Sequence, residues 1–418
     1  MLPVRRSTDH PIDPDLPHAL LVVPWDQTHG GVNTIVRNLA RFLEESGQRP
    51  LFLFPGSRTL PQSGTSRLGF SSLYMNLRPP LVRRRPLRSV LAFFVTAPIS
   101  LWSLVRLVRA RRIDVVNVHY PDLNFVHFIA LRWLTGVRLV TSVHGGDLTA
   151  LHRGSLARWL MSQLLARSDV IVAPSQEFAD YVRSEFPSSG QRVMAIANAI
   201  DVQAVREMAS EPALDGEMTP PQEPYCVCVA ALDRRKAHDV LLRAFTKVPE
   251  PVRLVLVGDG PLRDELTTLV AQLGLEQRVQ FAGAQSPSVV AKLQAGALCA
   301  LLASREEPFG IAAVEAMAVG TPVIATNVGG LRTIVTDDES GLVVPMDDES
   351  ALAAALARLT SDAELRQRLG RAAAARAESL FDWRDWASRY VDTAYKGRAA
   401  RSSPGRRITP SEPAAVRA

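Results

Sequence analysis

Cysteine, aromatic residues and recognisable nucleotide fingerprints are all scarce in this 418-residue sequence. Its three cysteines are Cys226, Cys228 and Cys299. An odd number without metal-ligand spacing excludes a disulfide framework and a thiolate zinc site, and it fits a reducing compartment. Cys226 and Cys228 alternate within an apolar strand pattern, as buried thiols do. Aromatics make up 6% of the chain and are not interleaved with its basic runs, so no nucleic-acid partner is expected. The first 17 residues hold no apolar core of the kind a signal peptide needs, and a cytoplasmic protein is expected. G-x-G-x-x-G is absent, which disfavours a dinucleotide-dependent dehydrogenase. No Asp-x-Asp lies on a loop after a strand; Asp13-Pro14-Asp15 falls in the N-terminal tail.

What remains is a soluble globular composition, 47% hydrophobic and 22% charged, long enough for two ordinary domains. The net charge of +6 and pI near 9.5 suit anionic small molecules or an anionic membrane surface. Short apolar runs alternate with helical periodicity along most of the chain. That pattern predicts parallel, doubly wound sheets with crevices at the strand C-termini. The expected organisation is a disordered tail at 1–17, a first Rossmann-like domain at 18–201 and a Pro-rich linker at 202–224. A second Rossmann-like domain follows at 225–380, then a helix at 381–396 crossing back to the first, and a disordered basic tail at 397–418.

Within the first domain a strand at 18–24 leads to Gly30-Gly31 and an amphipathic helix. Gly31 thereby becomes a candidate for close approach to a sugar or phosphate. Strand 138–143 ends in His144-Gly145-Gly146-Asp147, which places His144 at a strand terminus beside two glycines. His119 and His127 lack such a context and read as structural. Arg83-Arg84-Arg85 precedes an apolar stretch uncharged between Arg88 and Arg106. It is either a helix packed on the sheet or one lying in a membrane interface across 83–112, and both hold if one face stays exposed.

The second domain carries the most informative stretch, Glu306-Glu307-Pro308-Phe309-Gly310-Ile311, followed by Glu315 and Gly320-Thr321-Pro322. Pro308 keeps Glu306 and Glu307 on the loop. Phe309, Gly310 and Ile311 then present amides at a helix start, where an anion is favoured. Glu307 and Glu315 can hold opposite ends of an elongated ligand whose anionic middle sits at those amides. A nucleotide sugar has that form.

Glu307 and Glu315, with seven residues between them that include Phe-Gly, and Glu-Ala-Met-Ala-x-Gly-x-Pro-Val-Ile running on from Glu315, resemble the signature of the retaining glycosyltransferases of family four. The resemblance extends from about residue 18 to 396. It implies the GT-B fold, two Rossmann-like doubly wound domains facing across a cleft, with the donor in the second domain and the acceptor in the first. It implies a nucleotide-sugar co-substrate, a uridine diphosphate sugar before a guanosine one, no other cofactor, and a glycan or lipid-linked acceptor in polysaccharide or glycolipid biosynthesis. Carried over by position, His144 contacts the donor sugar and Lys236 clamps the diphosphate. Glu307 holds sugar hydroxyls with the amides of Gly310 and Ile311. Glu315 takes the ribose, and Gly258 and Gly260 shape the nucleotide pocket. A metal-independent hexosyl transfer follows, with cations and helix termini supplying the positive field.

Two positions depart from the family pattern. Ala231 stands where an Arg is usual, five residues before Lys236, so that Arg234 or Arg235 would have to substitute. Thr333 stands where a Glu is common. A nucleotide-sugar epimerase of similar fold and a degenerate nucleotide-sugar-binding protein therefore stay open beside the transferase.

Overall fold

A computed structural model describes residues 16–27, 30–56, 61–80, 86–152 and 154–397. Arg83-Arg84-Arg85 and most of both expected tails lie outside them. The chain divides into two compact units, one ending at Ala197 and resumed from Arg384, the other spanning Asn198–Trp383.

The first unit is built on an eight-stranded sheet. Its strands are β1 (Ala19–Val22), β2 (Leu51–Pro55), β3 (Gln62–Thr65), β4 (Ser71–Met75), β5 (Val115–His119), β6 (Arg138–Ser142), β7 (Val170–Ala173) and β8 (Val193–Ala195). Their spatial order is β3-β4-β2-β1-β5-β6-β7-β8, parallel throughout except for the antiparallel edge strand β3. β1, β5 and β7 are buried along their whole length, as continuous apolar strands covered on both faces should be. Helix Gly31–Glu45 turns Ile35, Val36, Leu39 and Leu43 onto this sheet. Helix Pro86–Arg111 contributes Leu104 and Val108 to the core that holds Leu20, Val22, Val116 and Val118 of the sheet.

The second sheet has six parallel strands: β9 (Tyr225–Val229), β10 (Arg253–Val257), β11 (Val279–Gly283), β12 (Ala300–Leu302), β13 (Val323–Thr326) and β14 (Gly341–Val344). Their order is β11-β10-β9-β12-β13-β14. In each sheet the order reverses beside the first strand, between β1 and β5 and between β9 and β12. Such reversals open the crevices where ligands of doubly wound sheets bind. This is the two-domain Rossmann-like architecture expected from strand–helix alternation.

The expected boundaries need three corrections. Leu16 is 5% exposed and its carbonyl accepts from Gln48 Nε2 at 2.8 Å, so residues 16 and 17 belong to the first unit rather than to a tail. The expected linker is part of the second unit. Asp201 caps helix Val202–Ser210 by accepting from Ala204 N, Val202 and Val205 are buried, and Arg206 Nε donates to the Ala318 carbonyl at 2.9 Å. Beyond that helix, the buried ammonium of Lys292 holds the carbonyl of Pro212 and the carboxylate of Glu217. The last correction concerns 381–396. Helix Ala363–Phe381 ends there, Trp383 N donates to Ile200 O within the second unit, and only the segment from Arg384 joins the first.

That returning segment is locked by a buried polar network. Asn117 of β5 donates to the hydroxyls of Tyr390 and Tyr395 at 2.8 and 2.9 Å, and Ser142 Oγ of β6 donates to Asn117 Oδ1 at 3.0 Å. Arg138 Nε adds a bond to the Ala394 carbonyl at 2.7 Å. Helix Trp383–Tyr390 buries Trp383, Trp386 and Tyr390.

Candidate active site

Four loops converge at the C-terminal ends of β9, β10, β12 and β13, and glycines let them touch. After β10, a Cβ on Gly258 would lie 2.1 Å from the Ala230 carbonyl oxygen, and one on Gly260 would lie 2.5 Å from that of Leu232. Gly258 also has φ +131°, a conformation that favours glycine. After β13, a Cβ on Gly329 would lie 1.9 Å from the Glu307 carbonyl oxygen, and Gly330 N donates to that same oxygen at 2.9 Å. The loops after β9 and β12 join where Arg305 N donates to the Arg235 carbonyl at 2.7 Å.

This packing brings Lys236 and Glu307 together. Lys236 Nζ lies 2.7 Å from Glu307 Oε2, and the two side chains are only 16% and 11% exposed. Ser304 Oγ approaches the same carboxylate oxygen at 3.4 Å. Lys236 closes a single helical turn, Arg234–Lys236, capped by Asp233, and Ala237 then takes a left-handed backbone (φ +49°) that starts helix His238–Phe245. A non-glycine residue there costs of order 1 kcal/mol and fixes the direction in which the chain leaves Lys236.

Of the two arginines that might stand in for the one missing at Ala231, Arg235 is held by Asp233 at 2.6 Å and Arg234 is exposed. Sequence reasoning missed Arg305. Its guanidinium grips Asp239 at 2.8 Å and Asp347 at 2.7 Å and donates to the Arg234 carbonyl at 2.9 Å. It braces the Lys236 turn, and its place directly before Glu306-Glu307 was the available signal.

Helix Ile311–Ala318 starts from Gly310, whose φ is +116°. Its first amides have no partner inside the helix and carry the positive end of its dipole. Phe309 offers only its backbone, because its ring is 3% exposed and packs edge-on against Phe381 at 5.9 Å. Glu315 lies roughly 6 Å further along the axis than Ile311, at 1.5 Å per residue, and is partly exposed. Behind this surface Cys228 and His238 approach to 3.8 Å. Burial pushes the Cys228 thiol up to about 12 and the His238 imidazole down to about 4, so both are neutral and unreactive at neutral pH. Cys226 and Cys299 are likewise buried and free.

The remaining candidates, Gly31 and His144, belong to the first unit. Gly31 opens helix Gly31–Glu45 after Gly30, whose φ is +103°. His144 follows β6 at a turn built by Asp147, which accepts from His144 N at 3.0 Å and from Gly145 N at 2.7 Å. His119, read as structural from sequence, is buried beside His144. Its Nδ1 lies 3.3 Å from His144 Nε2, so one ring donates to the other. Burial lowers His144 to about 4 and holds His119 well below its ordinary value, and His144 depresses His119 further. Two neutral, tautomer-coupled imidazoles result. Burial pushes the Asp147 carboxyl up to about 7, against the pull of the surrounding amides.

Residues 29–204 match the family described as Glycosyltransferase Family 4, and residues 215–376 match Glycosyl transferases group 1. The chain is 33% identical over 313 residues to a D-inositol 3-phosphate glycosyltransferase of Xylanimonas cellulosilytica, covering 69% of this chain and 74% of the relative. It is 28% identical over 274 residues to the N-acetyl-alpha-D-glucosaminyl L-malate synthase of Bacillus anthracis, covering 64% and 71%. Among solved structures it is similar to the sucrose-phosphate synthase of Thermosynechococcus elongatus, with TM-score 0.71 and 24% identity over 91% of this chain and 98% of that one. It is also similar to HepE of Anabaena in complex with UDP and glucose, with TM-score 0.70 and 19% identity over 91% and 100%. At these identities the structural likeness is one of fold.

Proposed function

The chain belongs to the family-four glycosyltransferases, and from that premise we propose that it is a retaining, metal-independent hexosyltransferase. The donor in this reading is a uridine diphosphate sugar. The acceptor is a glycan or lipid-linked molecule in polysaccharide or glycolipid assembly. The observation that carries the proposal is the Lys236–Glu307 pair beside the start of helix Ile311–Ala318. The site offers one cation and a helix N-terminus to a diphosphate, and one carboxylate to sugar hydroxyls. That the structurally similar HepE binds UDP supports the choice of base.

In this reading the acceptor hydroxyl attacks the anomeric carbon on the face the diphosphate leaves. The bond from carbon to the diphosphate oxygen breaks, and the acceptor's proton passes to that oxygen. Lys236 and the helix terminus stabilise the charge that develops there. Glu307 and Glu315 fix the sugar and ribose ends. Arg235 is engaged with Asp233, so Lys236 is the cation that this turn directs to Glu307.

The test is a thermal-shift panel of nucleoside diphosphates and nucleotide sugars. A ligand at 100 times its Kd stabilises by about 2.7 kcal/mol, or roughly 5–10 °C for a unit of this size. Uridine nucleotides should shift the wild type and not Glu315→Ala. Absence of a shift with every nucleotide would overturn the proposal.

A further inference from the structure

Helix Pro86–Arg111 leaves one face uncovered. Leu91, Phe94, Val95 and Trp102 are 56–71% exposed, and Ile99 is 42% exposed. At about 100° per residue these five fall within an arc of roughly 140°, and Arg106 and Arg109 fall in the same arc. From Leu91 to Trp102 the stripe runs about 16 Å at 1.5 Å per residue. The arginine at its end folds back over the apolar surface, with Arg106 Cζ 4.6 Å from the centroid of Trp102. Helix Val126–Thr135, which packs against helix Pro86–Arg111, carries Trp133 at 84% exposure, and helix Leu156–Arg167, next to that one, carries Trp159 at 57%.

The charge along this part of the sequence is of one sign. From Ser46 to Ile113 the sequence contains twelve arginines and not one aspartate or glutamate. We propose that this face of the first unit docks in the plane of an anionic phospholipid bilayer. The apolar stripe and tryptophans would enter the interface while the arginines meet the lipid phosphates.

Three alternatives fare worse. The segment Val90–Arg111 is long and apolar enough to cross a bilayer. However, its opposite face is committed to the protein: Leu104 and Val108 sit in the core, and Ser100 Oγ donates to the Asn76 carbonyl at 2.6 Å. Crossing would require that packing to be dismantled, whereas an interfacial helix keeps it. A second copy of the chain, paired symmetrically through this helix, would set the same arginines against each other. A neutral protein partner would leave the acid-free arginine tract unused. The docking does not depend on the glycosyl transfer proposed above, although a lipid-linked acceptor would be presented at such a surface.

Flotation of the full chain, without donor or acceptor, tests the proposal. Vesicles of phosphatidylcholine with about a third phosphatidylglycerol should carry the wild type upward, and pure phosphatidylcholine or high salt should not. The Arg106→Gln/Arg109→Gln variant should partition more weakly by roughly fivefold per arginine removed. The Leu91→Glu/Phe94→Glu/Trp102→Glu variant should stay at the bottom while melting like the wild type. Wild-type protein that fails to float on anionic vesicles overturns the inference, as does flotation unchanged in both variants. A dimer in light scattering that the glutamate variant dissociates, without vesicle binding, would replace it with self-association. The nucleotide-induced thermal shift, read on the same samples, separates failure of docking from failure of the proposed transfer.

Discussion

Lys236 Nζ and Glu307 Oε2 stand 2.7 Å apart, joining the loop after β9 to the loop after β12. Each group neutralises the other in a partly buried place. A bound diphosphate would compete with the carboxylate for the ammonium, releasing Glu307 toward sugar hydroxyls.

Removing one member of that pair strands the other. Lys236→Met and Glu307→Gln should each cost about 1–3 kcal/mol, with the double variant losing less than the sum by about 0.5–3 kcal/mol. Chemical denaturation of the four proteins measures the coupling, and additive losses would show that the contact is idle. Turnover of Glu307→Ala should fall on the order of 100-fold or more while the protein still melts cooperatively. Near-normal turnover would remove Glu307 from the site.

Gly329 serves Glu307 from behind. A methyl group there would sit 1.9 Å from the Glu307 carbonyl oxygen, and the backbone cannot yield without moving Glu307. Gly329→Ala should lower the melting temperature by several degrees, at roughly 2–4 °C per kcal/mol, and depress turnover together with it. Wild-type melting and rate would show that the loop relaxes freely.

The His119–His144 pair makes stability depend on pH. In the unfolded chain both rings protonate near 6.5, whereas in the folded unit His144 resists protonation down to about 4 and His119 lies well below its ordinary value. Their stabilisation is therefore complete above pH 6.5 and is lost as pH falls toward 4. Asp147 works in the opposite sense. With its carboxyl raised to about 7, its contribution is full below the ordinary carboxylate range and disappears as pH rises through 7. Between pH 5 and 6 two histidines outweigh one aspartate, so these three groups should raise stability by about 1 kcal/mol per pH unit, with His238, likewise held near 4, adding a similar rise of its own. Urea midpoints across that range should flatten in His144→Gln. An unchanged slope would mean that the rings are not buried neutral.

The network around Asn117 anchors the last helix. Tyr390→Phe deprives Asn117 Nδ2 and Ser142 Oγ of a shared buried partner, at a cost of about 1–3 kcal/mol. Melting of this variant should fall by several degrees with kcat nearly unchanged. A fall in kcat without a fall in stability would assign the network a role in the reaction.

How far the sequence carries depends on how local each signal is. The strands were legible because fully buried parallel strands are short unbroken apolar runs, as in Leu20-Leu21-Val22 or Val115-Val116. Gly258, Gly310 and the Glu306-Glu307-Pro308 turn were legible because backbone constraints are written in residue type. The hairpin of β3 and β4 was not, since Gln-Ser-Gly-Thr is a polar, exposed edge whose strand character comes only from pairing with Ser71–Met75. Helix Val202–Ser210 was obscured by Pro212, Pro220, Pro221 and Pro224, although Asp201 and the Val202–Val205 spacing carried a capped amphipathic start. The pairing of His119 with His144 was not legible because they lie 25 residues apart. Nothing in the neighbourhood of a lone histidine announces a second ring across two strands.

The network that closes the first unit has a temporal consequence. Ser142 and Tyr390 are separated by 248 residues, with the whole contiguous second unit between them. On a ribosome adding about 5–20 residues per second, β5 and β6 would wait roughly 12–50 s for the tyrosine hydroxyls that satisfy them. The second unit emerges and can collapse first, while the amino-terminal sheet stays open at Asn117 and Ser142. The order of completion is thus the reverse of the order of synthesis, and a stop codon placed just before Arg384 would leave the earlier-made unit as the unfinished one.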